Sequence, residues 1–416
     1  NACPGYVPSE RVLREGGYEG GAAMVYYDIP GPWAPGLEEA IIAATGKLLT
    51  GPSFSPNAKK HDASRTGGTT PLEPAQALQS LRTAPGLTAE LVASEPLVQS
   101  PVAMTFGPDG SVWTAEMRDY PQGGPGPESS GTIRRLTDTN GDGTLDHSQV
   151  FLDGLPFPTG VTVWRDGLLI CAAPDILLAR DKDHDGRADE VKKLWSGFAT
   201  HNYQARVNSL EYGLDGWIYG SCGLFGGSIT CQQTGKIVEL GQRDFRCNPD
   251  TGELEPASGS TQQGRVRNDY GDWFGCDNTE PLLHYPLQEH YLRRNPGVAA
   301  ERTVVSLLAE PQPGRLYPVS TQTLFALSGP PGKATAACGL GIYRDSLEGD
   351  AALGCALTCE PVNNLVYRQI LTQSGSTFRS ERPEAEKQQE YLASSDPWFR
   401  PVQARTGPDG AIWIVD

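Results

Sequence analysis

Six stretches of this 416-residue chain repeat one pattern: an apolar strand, a tight turn, and a second apolar strand ending in a polar residue. The clearest copies are Val102–Glu116 and Val402–Asp416, each built around Gly-Pro-Asp-Gly. Between them lie Gly160–Ala173 with a turn at Asp166-Gly167, Asn208–Ser221 at Asp215-Gly216, Arg265–Asn278 at Gly271-Asp272, and a looser copy over Cys338–Glu360. Asp and Gly tolerate positive φ, so Asp-Gly between alternating hydrophobics signals a hairpin. Copies spaced by roughly 50 to 70 residues are the signature of propeller blades. The expectation is an all-β, six-bladed propeller whose last blade is incomplete. A strand over Leu87–Ser94 is expected to close the ring by pairing with that last blade.

The 49 glycines and 34 prolines suit short strands and many turns, and no apolar run approaches a membrane span. Formal charge is −16 with no basic stripe, which argues against nucleic acid as a partner. The acidity fits simple solubility and also calcium binding. Nine cysteines occur without Cys-x-x-Cys, so zinc-ribbon and c-type haem signals are absent. Cys171 and Cys276 read as small buried strand residues; Cys222/Cys231 and Cys355/Cys359 are candidates for local disulfides in an oxidising compartment. Residues 1–50 fall outside the repeat: Gly36–Leu49 patterns as an amphipathic helix, and 51–75 reads as a Gly/Pro/Ser-rich linker. A short helix is expected over Pro74–Thr83, and the propeller over 76–416. The chain begins at Asn1 and stops at a strand end, so it is read as part of a longer protein.

Two Asp-rich loops share one pattern, Asp138-Thr-Asn-Gly-Asp-Gly-Thr-Leu-Asp146 and Asp181-Lys-Asp-His-Asp-Gly-Arg-Ala-Asp189. Oxygens at positions 1, 3, 5 and 9 with Gly at 6 suit a hard cation. The calcium ligands expected are Asp138, Asn140, Asp142 and Asp146, and Asp181, Asp183, Asp185 and Asp189. Gln149 and Lys192 replace the position-12 glutamate of an EF-hand, and solvated acidic turns remain the plain alternative.

A propeller also says where polar strand ends converge. Opposite the Asp-Gly turns, the start of each blade's first strand and the end of its second surround the channel. This assigns to one face Glu116, Arg118, Asp119, Thr159, Asp175, His201, Gln204, Arg206, Asn208, Arg267, Asp277, Asn278, Glu360, Asn363, Asn364, Gln403 and Asp416. There His201 is the candidate base for a hydroxyl proton, with Arg206 or Arg267 stabilising developing charge. A structural loop histidine is the competing reading of His201. No Gly-x-Gly-x-x-Gly opens a helix after a strand, which argues against nicotinamide or flavin on a Rossmann domain.

The motifs Glu116-Met-Arg-Asp-Tyr-Pro, Asn202-Tyr-Gln-Ala-Arg-Val-Asn-Ser-Leu, Arg265-Val-Arg-Asn-Asp-Tyr-Gly-Asp-Trp-Phe-Gly-Cys-Asp-Asn and Trp398-Phe-Arg-Pro-Val-Gln carry a family resemblance. From residue 76 on, the chain resembles the membrane-bound dehydrogenase-type propellers of planctomycetes, the PVC-type haem-binding proteins. These are similar to the soluble quinoprotein glucose and sorbosone dehydrogenases. The resemblance implies a TolB-like, quinoprotein glucose dehydrogenase-like propeller, a PQQ-like quinone, and a sugar or polyol substrate. It also implies a periplasmic or extracellular location and electron transfer to a haem c domain outside these residues. Asn1-Ala-Cys-Pro-Gly-Tyr-Val-Pro-Ser and Glu15-Gly-Gly-Tyr-Glu-Gly-Gly-Ala-Ala resemble the end of a neutral ceramidase catalytic domain, where Tyr18 would match a tyrosine near the zinc. Two functions stay open: a quinone-dependent sugar or polyol dehydrogenase (an oxidoreductase), or a non-catalytic propeller binding glycan or protein beside a ceramidase-like hydrolase.

Overall fold

The computed structural model describes residues 70–120, 129–297, 303–308, 314–321 and 332–416, all within the unit Thr70–Asp416. Tyr18, the helix expected over 36–49 and most of the 51–75 linker lie outside the described residues.

All six repeats are antiparallel hairpins. Their strands pair as Pro101–Phe106 with Val112–Glu116, Gly160–Trp164 with Gly167–Ala172, Asn208–Tyr212 with Ile218–Ser221, Val266–Arg267 with Trp273–Gly275, Cys338–Ile342 with Ala356–Glu360, and Gln403–Thr406 with Ile412–Val415. The turns work as their chemistry requires. Gly110, Gly216, Gly271 and Gly410 hold φ between 80 and 88°, a region costly for residues with a Cβ. Asp109, Asp215 and Asp409 each accept the N–H two residues on, at 3.1 to 3.2 Å, closing an Asx turn. In the second hairpin the two-residue turn is Arg165-Asp166, one position earlier than expected, since Trp164 pairs with Gly167.

Among the described residues the strands form six sheets, here blades 1 to 6 in chain order. Blade 1 adds Gly131–Thr137 and His147–Leu155, and blade 2 adds Asp175–Arg180 and Glu190–Phe198. Blade 3 adds Asp244–Asn248 and Glu253–Ala257 after sending a hairpin, Gly227–Cys231 with Ile237–Gly241, onto the outer edge of blade 2. Blade 4 is made of strands of two or three residues. Blade 6 has two strands. The innermost strands touch their neighbours all the way round, blade 6 meeting blade 1, so the ring is closed.

Each seam between blades has its own apolar cluster. Ile133, Phe151 and Ile170 fill the seam of blades 1 and 2; Trp195, Ile218 and Phe245 that of blades 2 and 3. Phe274, Leu340 and Ile342 join blades 4 and 5, and Met104, Leu136 and Val415 join blades 1 and 6. Sheets stacked face to face bury apolar side chains from both surfaces, which is why the strands alternate little and read as continuous apolar runs.

Three expectations need correction. Residues 87–94 form no strand. Val92, Ala93, Leu97 and Val98 instead pack into the seam of blades 6 and 1, and Leu145 N–H donates to Val92 O at 2.9 Å. These side chains serve one surface, whereas a strand would send alternate residues to opposite faces. The strand that does return is Leu81–Thr83, paired with Leu392–Ser394 at the outer edge of blade 5, after a helix limited to Pro74–Gln79. Finally, the eight described cysteines are buried free thiols. Cys355 and Cys359 sit four residues apart along extended chain, about 13 Å, and Cys359 lies opposite Cys338 instead. Cys222 follows an inner strand of blade 3 while Cys231 belongs to the hairpin on blade 2. Burial raises the Cys171 thiol pKa and pushes that of Cys276 up to about 12, so both stay protonated.

Candidate functional site

The ring frames two regions, one at its strand-end mouth and one inside the channel. At the strand ends, the loops 117–120, 156–159 and 199–207 of blades 1, 2 and 3 come together. Inside the channel, a cavity of about 590 Å³ lies between the innermost strands of all six blades, lined from Thr159 and Gln263 near the strand starts to Asp269 and Pro408 at the turns.

The strand-end loops are built around Arg206, which is 4 % exposed. Its guanidinium donates to Asn202 O at 3.2 Å and Thr200 O at 2.7 Å, and so shapes the loop that carries His201. It packs over the rings of Phe157 (4.6 Å) and Tyr203 (4.9 Å), which stack on each other at 4.5 Å. Burial lowers the Arg206 pKa, and the charges of Tyr203 and Asp119 oppose that shift. Asp119 is itself 4 % exposed; Oδ2 accepts Phe157 N–H at 2.9 Å, while Oδ1 is buried with no hydrogen-bond partner. Gln204 donates to the Tyr120 hydroxyl at 2.8 Å, tying blade 1 to the same loop. His201 is exposed, with its ring edge against Phe225 at 4.3 Å. Phe157, fully buried, holds φ of 46°, a strained conformation of the sort concentrated at functional sites. The aromatic members of this group, Tyr120, Phe157, Tyr203 and Phe225, were absent from the sequence-derived set. Tyr120 and Tyr203 lie inside motifs quoted for the resemblance, and that was the available signal.

Other strand-end residues are engaged in holding the fold. The Glu116 carboxylate is fully buried, accepts Arg134 Nε and Gln99 N–H at 2.8 Å each, and lies 4.0 Å from Arg118. Glu360 clamps two loops: Oε1 accepts the Thr335 and Ala336 N–H groups and Oε2 that of Asn363. Asn208 Nδ2 donates to the carbonyls of Arg206 and Gln262, and Asn364 Nδ2 to that of Phe399. Asp277 accepts the N–H groups of Thr279 and Glu280, Asn278 accepts Ala337 N–H through its carbonyl, and Asp175 pairs with Lys193 at 2.8 Å. Thr159 donates to Val207 O, Gln403 accepts Met104 N–H, and Asp416 accepts Arg400 N–H. A carboxylate or amide spent on fixed donors is a poor partner for a ligand.

Arg267 does not belong to this face. It pairs with Trp273 immediately before the turn of blade 4, so it stands at the turn end of the channel. There it donates to the carbonyls of Tyr212 and Asn268, and burial followed by the Arg344 charge lowers its pKa. The reason is register: the blade 4 strands are so short that two residues separate their two ends.

The Asp-rich loops join the third and fourth strands of blades 1 and 2, on the turn side, since Leu136 pairs with Val112 next to the first hairpin turn. In the second loop, oxygens of Asp181, Asp183 and Asp189 lie within 4.8 Å of one another, and Asp181 Oδ1 is buried without a hydrogen-bond partner. Asp185 accepts Arg187 N–H at 2.7 Å. In the first loop, Asp138 accepts the N–H groups of Gly143 and Gly141, and Asp146 accepts Thr139; these bonds lower both carboxyl pKa values. Asn140 and Asp142 bond to each other at 3.1 Å.

Among the described residues no helix is long and apolar enough to cross a membrane. No curated protein matches this chain. Among solved structures, the chain is similar to the holo form of the pyranose dehydrogenase PQQ domain from Coprinopsis cinerea, with 12 % identity, a TM-score of 0.47, and 81 % and 94 % of the two chains covered. It is also similar to the apo soluble aldose sugar dehydrogenase from Escherichia coli, with 13 % identity, a TM-score of 0.41, and 76 % and 92 % covered. A family model matches residues 73–416, the whole of the propeller, and the chain therefore belongs to the family described as Domain of unknown function (DUF7133).

Proposed function

We propose that the strand-end mouth binds a planar quinone and oxidises a sugar or polyol. The observation that carries this reading is the Arg206 cluster: a buried guanidinium on two stacked rings, beside a buried carboxylate oxygen without a hydrogen-bond partner among the described residues. The donor set fits a planar anionic cofactor. Arg118, Arg206 and Arg400 supply positive charge on this face, and Tyr120, Tyr203 and Trp398 are its exposed rings. A bound quinone would supply the acceptor for hydride. The chain's own residues do the rest. His201, on the exposed loop, accepts the substrate hydroxyl proton. Arg206 acts from beneath Tyr203, fixing the His201 loop through its two carbonyls and adding a positive field to the site. Asp119, buried beneath the loop, adds a negative charge close to the Arg206 guanidinium and through Oδ2 holds Phe157 N–H.

The test is absorbance titration of the chain with PQQ and Ca²⁺, followed by dye-linked turnover with aldoses and polyols. His201→Ala is expected to cut turnover at least about tenfold while leaving quinone binding intact. Absence of quinone binding overturns the proposal. Saccharide binding without turnover supports the second reading, a glycan-binding propeller, which the structural use of Glu116, Glu360 and Asn208 favours.

We further propose calcium in the Asp181–Asp189 loop. Asp181, Asp183 and Asp189 would hold it, and the unsatisfied Asp181 Oδ1 is the oxygen that most needs a cation. Lying on the turn side, the ion would be structural. The Asp138 loop, with its carboxylates taken by N–H groups, is the weaker of the two sites.

A further inference from the structure

Two bonds cross the channel between blades that face each other. Near the strand starts, Gln263 Nε2 of blade 4 donates to Val102 O of blade 1 at 3.5 Å. Nearer the turns, Arg405 Nη2 of blade 6 meets Glu211 Oε2 of blade 3 at 2.6 Å, while Arg405 Nη1 donates to Met104 O of blade 1. The cavity runs along the channel from Gln263, Gly264 and Gly339 near the strand starts, past this ion pair, to the turn end, where Arg344 pairs with Asp269. Its lining includes none of Asp119, Phe157, His201, Tyr203 and Arg206 of the strand-end cluster.

We infer that the turn end of this cavity is a second small-molecule site, for a neutral polyhydroxylated ligand of mono- or disaccharide size. A volume of about 590 Å³ falls within the usual range of small-molecule sites. Charge selects the class. Arg265, Arg344 and Arg405 line the cavity with Glu211, Asp269 and Asp345, three against three; each arginine is already paired with a carboxylate, Arg265 with Asp244, Arg344 with Asp269 and Arg405 with Glu211, and Asp345 accepts the Ser346 and Leu347 N–H groups. An ionic ligand would have to break one of these pairs, leaving a charge without its partner. A hydroxyl both donates and accepts, so it adds to a guanidinium–carboxylate pair at the remaining lone pairs and N–H groups. At the rim, Tyr212 is 40 % exposed, its ring stacked on Trp164, and offers an apolar face to the C–H side of a sugar ring. The site stands independently of the redox reading, because its occupation needs neither quinone nor turnover.

The experiment is calorimetric titration of the full chain, without quinone, using D-glucose, D-galactose and cellobiose, against glucuronate and glucose 6-phosphate. A neutral saccharide is expected to bind, and Asp269→Ala and Tyr212→Ala should each raise its Kd at least about tenfold. His201→Ala should leave it unchanged. Asp269 and Tyr212 are both surface residues, so these variants remain informative if Glu211→Gln fails to fold. Absence of binding by every neutral sugar overturns the inference. So does tighter binding of the charged sugars, or loss of binding on His201→Ala with the turn-side variants unaffected.

Discussion

Burial sets the charge state of one carboxylate in blade 5. Glu390 is 4 % exposed; it accepts Arg382 at 2.9 and 3.1 Å and Tyr317 N–H at 2.7 Å. Burial pushes its pKa up to about 7, against the opposing pull of Arg382. The folded state thus keeps a proton that the unfolded chain releases near pH 4.5. Between those values the folded state binds more protons, so stability falls as pH rises from about 4.5 to 7, by on the order of 3 kcal/mol for this group. Melting temperatures from pH 5 to 8 should decline in the wild type, and Glu390→Gln should flatten that slope; parallel slopes would refute it. The same physics limits what single residues disclose in a sequence. Glu116 and Asp119 are near neighbours on the same strand-end face, yet Arg134 consumes the first while the second keeps one oxygen free. Which occurs depends on donors that folding brings from 15 to 40 positions away. Asp244 and Arg265 form a fully buried pair between blades 3 and 4, with Arg265 ringed by Tyr219, Trp273 and Tyr285, and no local pattern announces it.

At the scale of elements, the hairpins were legible because their signal is local. An Asp accepting the N–H two residues on, followed by Gly at positive φ, specifies a turn within four residues. The Asp181 loop is local in the same way, and it yields a prediction. Ca²⁺ at millimolar concentration should raise the melting temperature, since a ligand bound only by the folded state stabilises it. Asp181→Ala should abolish most of the rise and Asp138→Ala less of it; an equal response to calcium in wild type and Asp181→Ala would show that the loop is a plain turn. The hairpin Gly227–Gly241 was not legible. It leaves blade 3 to extend blade 2, where Gly227 at φ 142° sits so close to Gly197 O that a Cβ would lie 2.2 Å away. Choice of sheet is a tertiary decision, made by that close approach and by Ile229 and Cys231 entering the core of the neighbouring seam.

At the scale of the molecule, the sequence announces six blades but not how the ring is fastened. A propeller gains its last seam only when the two chain-distant ends meet, and loop closure over some 300 residues has to be repaid by contacts there. Two pieces of one short segment do this. Leu81–Thr83 adds the outermost strand of blade 5, and Val92, Leu97 and Val98 fill the seam of blades 6 and 1. The alternation of residues 87–94 pointed to a strand because periodicity reports which side chains are apolar and not which neighbour buries them. Beginning the chain at Gly86 should remove the first fastening alone. Loss of Leu81 and Ala84 from their cluster should lower the melting temperature by about 5 °C, and amide exchange should quicken along Leu392–Ser394. Beginning it at Pro101 should remove both fastenings, and exchange should then quicken along Val112–Glu116 and Ile412–Val415 as well, with a larger fall in stability. If the second truncation leaves protection at Ile412–Val415 intact, the ring is held by its inner strands alone and the N-terminal segment is only a covering.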